Sequence, residues 1–258
     1  MKRSIKSLIG YTIKETDGEL GKVDDFYFDD RIWAIRYLVV KTGNWLSQRK
    51  VLISPQALLQ PDWEKEQFPV NLTKEKIENS PDIDTDKPVS LQHEQKLYAH
   101  YNWDEFWGAD PDEHGAGIFG AMPSELYNNE METTYSDTTD TTDAASNQYD
   151  QHLRSTENVA GYHIHATDGE IGKVVDYIVD DTNWKIKFLV VETGSWLDSR
   201  KVLLANQWIK EVSWENATVI VDITTEAVRD SPEFDASHPV NEVYEKKLYD
   251  YYGRPEMK

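Results

Sequence analysis

The most constraining feature of this 258-residue chain is that its two halves repeat one sequence at a fixed spacing. Arg3-Ser4 returns as Arg154-Ser155, and Gly10-Tyr11 returns as Gly161-Tyr162, in each case 151 residues later. The copies align without a gap from position 3 to position 101. A repeat of this length can close its own hydrophobic core, so the sequence predicts a duplicated domain rather than a solenoid of short repeats.

An acidic segment separates the two copies. Between Asn102 and Leu153 there is no lysine or arginine, whereas aspartate and glutamate are frequent. Residues 131–147 are mainly threonine, aspartate and serine, a composition that buries little surface and predicts a flexible tether. We therefore predict a first repeat at residues 1–101, an acidic linker at 102–153 and a second repeat at 154–258.

The whole chain is acidic, with a formal net charge of −20. Such a charge repels phosphate backbones and anionic lipid headgroups, which argues against nucleic acid or a membrane surface as a partner. No apolar stretch approaches the roughly 20 residues that span a bilayer, and no secretory signal is recognisable, so a cytoplasmic location without a membrane span is expected. The absence of cysteine excludes disulfides and thiolate chemistry.

Each repeat has the sequence pattern of short antiparallel strands. Asp17-Gly18 and Asp168-Gly169 are tight-turn signals between apolar runs, because glycine adopts positive φ without steric cost. Apolar residues alternate along the third strand of each repeat, at Trp33, Ile35, Tyr37 and Val39 and again at Trp184, Ile186, Phe188 and Val190. About six such strands per repeat predict a mainly β fold of two tandem small antiparallel barrels, because closure removes exposed edges.

Short helices are predicted after the strands of each repeat. Thr73 and Thr224 are suitable N-caps for a helix that ends at a Ser-Pro pair. A final helix is indicated by one stripe in each copy, formed by Val89, His93, Leu97 and Tyr101 and by Val240, Tyr244, Leu248 and Tyr251. The third strands are apolar on both faces at Leu38-Val40 and Leu189-Val191, so we expect the helices to cover them.

An ordered string of motifs runs through both copies. In the second copy it is Asp168-Gly169-Glu170-Ile171-Gly172-Lys173-Val174, Asp180-Asp181, Trp184, Leu189-Val190-Val191, Thr193-Gly194, Trp196-Leu197 and Arg200-Lys201-Val202-Leu203. This string resembles the PRC-barrel domain family, and the resemblance covers both repeats. Family relatives include the cytoplasmic part of the photosynthetic reaction centre H subunit and the C-terminal domain of a ribosome maturation factor. The resemblance implies a small β-barrel that serves as a docking or assembly module without a shared catalytic site.

Motifs that carry chemistry are sparse. His163 and His165 have the spacing of metal ligands on one strand face, but a third ligand cannot be assigned, so surface histidines are the preferred interpretation. The pairs Asp24-Asp25 and Asp29-Asp30 could bind a hard cation, but turn or strand-end residues are the better interpretation. No phosphate loop, nucleophile elbow or dinucleotide fingerprint occurs, so we predict no metal, no cofactor and no enzymatic activity.

The best binding candidates lie in a glycine loop that both copies contain. Trp45 and Trp196 follow the glycine, and Arg49 and Arg200 come shortly after them. Tryptophan and arginine dominate the energetics of protein interfaces, which favours these four residues as an interaction site. The alternative is that each tryptophan closes the end of its own barrel.

These observations favour a non-enzymatic docking or assembly protein with a protein partner, and we propose stress response as its setting. The alternative is an accessory protein of a membrane electron-transfer complex, like the reaction centre H subunit. An enzyme or metal-dependent hydrolase is disfavoured by the lack of a convergent site. Because the copies keep the same faces, the repeats are expected to pack as a covalent pseudo-dimer, with Leu38, Leu189 and the loop tryptophans as contact candidates.

Overall fold

The computed structural model describes most of both repeats. The described residues are 1–15, 18–81, 83, 89, 91–103, 152–194, 199–213 and 215–255. The predicted tether at 131–147 and Asp17 of the first predicted tight turn lie outside them.

Strands dominate both halves of the described chain. The first half contains β1 Lys2–Ser4, β2 Thr12–Glu15, β3 Gly18–Asp29, β4 Ala34–Thr42, β5 Lys50–Ile53 and β6 Gln67–Pro69, with helices α1 Ile5–Leu8, α2 Lys74–Glu78 and α3 Leu91–Tyr101. The second half contains β7 Leu153–Ser155, β8 His163–Ala166, β9 Gly169–Asp180, β10 Lys185–Thr193, β11 Arg200–Ala205, β12 Ile209–Ser213 and β13 Thr218–Val221, with helices α4 Thr156–Val159, α5 Thr225–Arg229 and α6 Glu242–Tyr252.

The described strands form one mixed 13-stranded sheet. Its main path runs β12-β13-β8-β9-β10-β4-β3-β2-β6, and β1, β5, β7 and β11 pair beside this path. Most neighbours are antiparallel, but β2 pairs with β6 and β8 pairs with β13 in the parallel direction. The prediction of a mainly β fold is confirmed. Two closed antiparallel barrels are not confirmed, because the halves share ladders and because a late strand of each half returns parallel to an early one.

A β-bulge changes the side-chain pattern of β4. Tyr37 pairs with Tyr27 and Ile35 pairs with Phe28, so Arg36 is an extra residue between two register positions. Arg36 is only 3% exposed, although strict alternation would place it on the outer face. Trp33, Ile35, Tyr37 and Val39 are all buried, and so are Trp184, Ile186, Phe188 and Val190. Because the bulge places Ile35 and Tyr37 opposite adjacent residues of β3, however, the four residues do not lie on one face, and the prediction of a single core face is wrong.

The short helices begin where the sequence predicts. The hydroxyl of Thr73 accepts a hydrogen bond from the backbone N of Lys76, and the hydroxyl of Thr224 accepts one from Ala227. These caps satisfy backbone donors that a helix start leaves without an intrahelical acceptor. None of the helices in the described part of the chain is long and apolar enough to cross a membrane.

Each long C-terminal helix presents a buried glutamate to the sheet. In α3, Glu94 is fully buried, and its Oε1 accepts hydrogen bonds from Arg36 Nη2 at 2.7 Å and from the Tyr37 hydroxyl at 2.8 Å. In α6, the equivalent Glu245 has its Oε1 2.6 Å from Nζ of Lys2, which belongs to the other half. The helices therefore cover the sheet as expected, whereas Tyr251, assigned to the buried stripe of α6, is 41% exposed.

Candidate functional site: the seam between the two halves

The two halves exchange their leading strands. β1 of the first half pairs antiparallel with β9 of the second half, where Arg3 lies opposite Val179. β7 of the second half pairs in the same way with β3 of the first half, where Arg154 lies opposite Phe28. Each ladder copies the other at the 151-residue spacing. We call these two ladders, with the side chains that join them, the seam.

A two-bond bridge between β4 and β10 marks the centre of the seam. The backbone N of Ile35 donates to the carbonyl oxygen of Trp184 at 2.8 Å, and the N of Ile186 donates to that of Trp33 at 2.6 Å. If each residue is replaced by its counterpart 151 positions away, the first hydrogen bond becomes the second and the second becomes the first. Contacts that are reciprocal in this way define an approximate two-fold axis.

Both tryptophans at the bridge have left-handed backbone conformations. The φ angles are 54° for Trp33 and 56° for Trp184. A left-handed φ is a genuine outlier for a bulky residue, so its presence at both positions indicates that each copy builds the same turn for this contact. The ring of Trp184 lies against two rings of the other half, 6.2 Å from Phe26 and 5.7 Å from Phe68 between ring centroids.

One aspartate on each acceptor strand binds the start of the incoming segment; Asp25 is buried and Asp176 is half-buried. Asp25 of β3 accepts hydrogen bonds from the Ser155 hydroxyl at 2.5 Å, the Thr156 hydroxyl at 2.7 Å and the backbone N of Glu157 at 3.1 Å. Ser155 also accepts a bond from the backbone N of Asn158, which caps α4. The Asp25 carboxylate therefore holds both the end of β7 and the start of α4.

The same arrangement recurs in the opposite direction. Asp176 of β9 accepts hydrogen bonds from the Ser4 hydroxyl and, at 3.1 Å, from the backbone N of Lys6. Ser4 in turn accepts a bond from the backbone N of Ser7 and caps α1. Ile5 stands where the other segment has Thr156, so this copy lacks the second hydroxyl donor.

Burial shapes the titration of both seam aspartates. Desolvation raises the pKa of Asp25 above its ordinary value of 3.8, and the hydrogen bonds from Ser155 and Thr156 only partly oppose the shift. Desolvation likewise raises the pKa of Asp176, against the hydrogen bond from Ser4. Negative charge at these two positions is therefore costly for the folded chain.

An arginine–aspartate pair fixes the outer end of each exchanged strand. Arg3 Nε donates to Asp181 Oδ2 at 2.7 Å, and Arg154 Nε donates to Asp30 Oδ2 at 2.5 Å. The guanidinium carbon of Arg3 also lies 3.5 Å from the centroid of the Trp63 ring, a cation–π arrangement. Charge-assisted bonds of this kind are about twice as strong as neutral ones, so they add both affinity and register.

A cleft of about 210 Å3 opens across the two-fold axis. Ten of its eleven lining residues are five pairs of equivalent positions, among them Ile5 with Thr156 and Asp25 with Asp176. Two carboxyl groups of raised pKa beside one cleft are an arrangement that can serve acid–base chemistry. In the seam, however, the oxygens of both groups accept hydrogen bonds from the exchanged segments, which gives them a binding role.

The described members of the loop candidates make contacts within their own halves. Trp45 Nε1 donates to the carbonyl oxygen of Leu20 at 2.8 Å, and Trp196 lies outside the described residues. Arg49 Nη2 donates to the carbonyl oxygen of Ile77 at 2.8 Å at the end of α2.

Arg200 and the two strand leucines are likewise placed away from the seam. Arg200 Nη1 donates to the carbonyl oxygen of Arg229 at 2.6 Å, at the end of α5. Leu38 and Leu189 are fully buried and pair with Ile53 and Leu204 of their own halves. The described contacts between the halves are made by the seam instead.

The sequence alternatives for metal sites involve local ion pairs. His163 Nδ1 lies 2.7 Å from Glu170 Oε1, an exposed pair. Asp24 Oδ2 lies 2.8 Å from Lys50 Nζ, and Asp29 Oδ2 lies 3.0 Å from Arg31 Nη2. Across the ranges that the structure describes, no group of three or more His, Cys, Asp or Glu side chains could hold a metal ion.

Sequence reasoning missed the residues that build the seam. The available signal was strict repetition: Arg-Ser at positions 3 and 154, and aspartate at 25 and 176, are unchanged between the copies. No periodicity of strand or helix requires these polar residues. Identity of polar residues between diverged copies was therefore the signal for a shared contact.

Comparison with known proteins finds a family match within the first half of the chain. The family model of the PRC-barrel domain matches residues 2–76, from β1 into α2. The resemblance is confirmed for this segment, which contributes β1, β3 and β4 to the seam. A second PRC-barrel repeat at residues 154–258 stays a prediction from the internal duplication. A search of curated proteins finds no match to the chain.

Proposed function

We propose that this chain, whose residues 2–76 match the family model of the PRC-barrel domain, is a non-enzymatic docking and assembly protein whose two repeats act as one internally paired unit. Each repeat supplies a leading strand to the other and receives one in return. The paired unit then presents a single rigid surface to a protein partner.

The observation that carries the proposal is the reciprocal strand exchange. Ser155 meets Asp25, and the equivalent Ser4 meets Asp176. Contacts in which each side uses the same surface are those of a symmetric homodimer. Duplication within one chain converts such a contact into an intramolecular one, and the linker then raises the local concentration of one repeat at the other.

The chemistry of the seam supports docking rather than catalysis. Its carboxylates, hydroxyls and guanidinium groups bond to one another across the two halves, as Arg154 and Asp30 do. Such groups supply affinity and register between surfaces. An active site instead needs polar groups that are oriented toward a substrate.

The net charge favours a partner with a basic surface. At −20 the chain attracts cationic protein surfaces over long range, and complementary charge increases the rate of association. Association with the partner should therefore weaken as the salt concentration increases.

Cleavage of the linker tests the internal pairing. A specific protease site placed within residues 131–147 would convert the chain into two fragments, which should still elute as one particle of unchanged mass at micromolar concentration. The matched control carries Arg3→Asp and Arg154→Asp, which reverse both guanidinium contacts, and its fragments should separate after cleavage. Separation of the unsubstituted fragments would reject the internally paired unit.

Cross-linking tests the docking function. The intact tagged chain, cross-linked in its native lysate, should yield a protein partner in a fixed ratio, and the yield should fall when salt is added before cross-linking. If no protein is recovered in a fixed ratio, the docking function is rejected.

A further inference from the structure

We propose that the β9 side of the seam is a peptide-binding site for another polypeptide, which presents an extended Arg-Ser segment with an apolar residue four positions after the serine. The proposal rests on the proposed function, because it names the kind of partner that the docking unit would take. The incoming segment would replace β1 of the same chain.

Binding of a leading strand by an acceptor strand occurs twice in the structure. Features that are the same in both places are taken as required, and features that differ are taken as tolerated. In both copies an arginine meets an aspartate, and the following serine donates to a second aspartate. The residue four positions after the serine is fully buried in both, as Leu8 and as Val159. The residues between differ in polarity and charge, for example Lys6 and Glu157, so neither charge is required for binding.

The β9 side holds its strand less completely than the β3 side. All three residues of β7 are buried, whereas all three residues of β1 are half-buried. Thr156 adds a hydroxyl bond to Asp25, and Ile5 at the equivalent position has no hydroxyl. A strand whose residues are more exposed to solvent opens at lower free-energy cost, so β1 is the strand that exchanges.

Release of β1 leaves a sheet edge that accepts a strand. Ile178, Val179 and Asp180 pair with β1 on one side and with β10 on the other. Without β1, their outward backbone donors and acceptors form an edge, the surface to which extended peptides add as a further strand. Backbone pairing gives affinity there, and side-chain contacts give selectivity.

Two side chains make the site selective for arginine over lysine. Asp181, in the turn that follows β9, accepts a hydrogen bond from the Arg3 guanidinium. The ring of Trp63, from the first half, stacks against the same guanidinium. A planar guanidinium can bond to a carboxylate and stack on an indole at the same time, which a lysine ammonium cannot match. The site therefore combines groups from both halves and is complete only when the halves are paired.

The experiment uses the full-length chain and a fluorescent peptide of residues 1–10. In one variant, Arg3→Ala with Ser4→Ala weakens the internal β1 while leaving Asp176 and Asp181 in place. A second variant, Asp176→Asn with Asp181→Asn, replaces both acceptor carboxylates by neutral amides. A control peptide carries Arg3→Ala and Ser4→Ala.

Fluorescence anisotropy measures binding of each peptide to each chain. The unsubstituted peptide should bind the Arg3→Ala/Ser4→Ala chain at least about tenfold more tightly than the unsubstituted chain, because a weaker internal competitor increases the fraction of open sites. The control peptide should bind at least about tenfold more weakly than the unsubstituted one. The acceptor variant should bind neither. Equal binding of the two peptides, or no saturable binding to the open variant, would overturn the proposal.

Two further measurements keep the outcomes distinct. If circular dichroism shows that the double variant does not fold, Ser4→Ala alone replaces it, since this change keeps the backbone ladder and the arginine. Should the cleaved fragments stay paired while the peptide fails to bind, the peptide site is wrong and the internally paired unit stands. If the fragments separate, the internally paired unit is rejected, and the peptide site that depends on it is rejected with it.

Discussion

The two halves are copies of each other at the seam but differ in how their long helices are anchored. In the first half, Glu94 of α3 meets Arg36 from β4 of the same half. In the second half, Glu245 of α6 meets Lys2, which arrives from the first half on β1. The comparison teaches that the second helix depends on the strand exchange, whereas the first helix does not.

Three positions account for this difference. Lys2 corresponds to Leu153, Arg36 corresponds to Lys187, and Tyr37 corresponds to Phe188, which has no hydroxyl. The seam aspartates and Arg-Ser pairs stayed identical while the helix anchors diverged. A contact that occurs in both halves limits which residues are accepted at two sites, whereas a helix anchor limits them in one half.

The largest expected effect is at the wholly buried pair. Glu94→Ala would leave the Arg36 guanidinium, whose side chain is 1% exposed, without its closest carboxylate. Loss of one partner from a buried pair costs about 3–5 kcal/mol of unfolding free energy. Urea unfolding of the full chain measures this loss. The matched change Glu245→Ala should cost less, because Lys2 is more exposed; equal losses would contradict the comparison.

The next effect distinguishes the two seam aspartates. Asp25→Asn weakens three hydrogen bonds from the other half, so we expect a loss of about 2–3 kcal/mol. Asp176→Asn affects two bonds from the other half, and a smaller loss of about 1–2 kcal/mol is expected. Chemical denaturation of both variants measures the two losses of unfolding free energy. A larger loss for Asp176→Asn would reverse the inferred order of the two acceptor sites.

A third prediction concerns coupling between the halves. Lys2→Ala removes the ion pair with Glu245, and we expect a loss of about 1–2 kcal/mol. Amide hydrogen exchange should become faster in α6, although the substituted residue lies in the other half. Lys187→Ala is the control and should leave exchange in α6 nearly unchanged. Unchanged exchange after Lys2→Ala would show that α6 is anchored within its own half.

The smallest effect is the pH dependence of the seam. Because the folded-state pKa values of Asp25 and Asp176 are raised above 3.8, the folded chain binds these protons more tightly than the unfolded chain. Their contribution to stability is present below pH 3.8 and is lost as the pH rises through the raised values. The Asp25→Asn/Asp176→Asn chain should lack this component, which denaturation at several pH values would detect.

The opposite sign at Asp29 provides a check on the pH experiment. Bonds and charges from Arg31, with the charge of Arg36, lower the pKa of Asp29 despite its burial. Its contribution is therefore present above the unfolded pKa and lost as the pH falls through the folded pKa. Asp29→Asn should change the acid limb of the stability curve in the direction opposite to the seam variants. The same sign for both would contradict these assignments.

The local features of the fold were predictable because they depend on neighbouring residues. Thr73 and Thr224 cap helices through bonds three residues away. Gly169 has a φ of 158°, in keeping with the tight turn predicted from Asp168-Gly169. The buried position of Arg36 was not predictable from alternation, since one bulge residue shifts every later side chain relative to the pattern.

The seam was not predictable for a topological reason. β1 and β7 have three residues each, too few for a periodic pattern. In a duplicated chain, Ser4 meets an identical aspartate whether it pairs with Asp25 of its own half or Asp176 of the other. The two arrangements therefore have the same local contacts, and the sequence does not distinguish them. The loop candidates Trp45 and Arg49 stay predictions as interaction residues.

The exchange of leading strands also sets an order of events during synthesis. Arg3 leaves the ribosome 178 residues before its partner Asp181. At about 5–20 residues per second, β1 waits on the order of 10–40 s for the strand that receives it. The first repeat is likewise incomplete until β7 has been made. While those 178 residues are being made, the nascent chain therefore carries an unplaced strand and an open sheet edge.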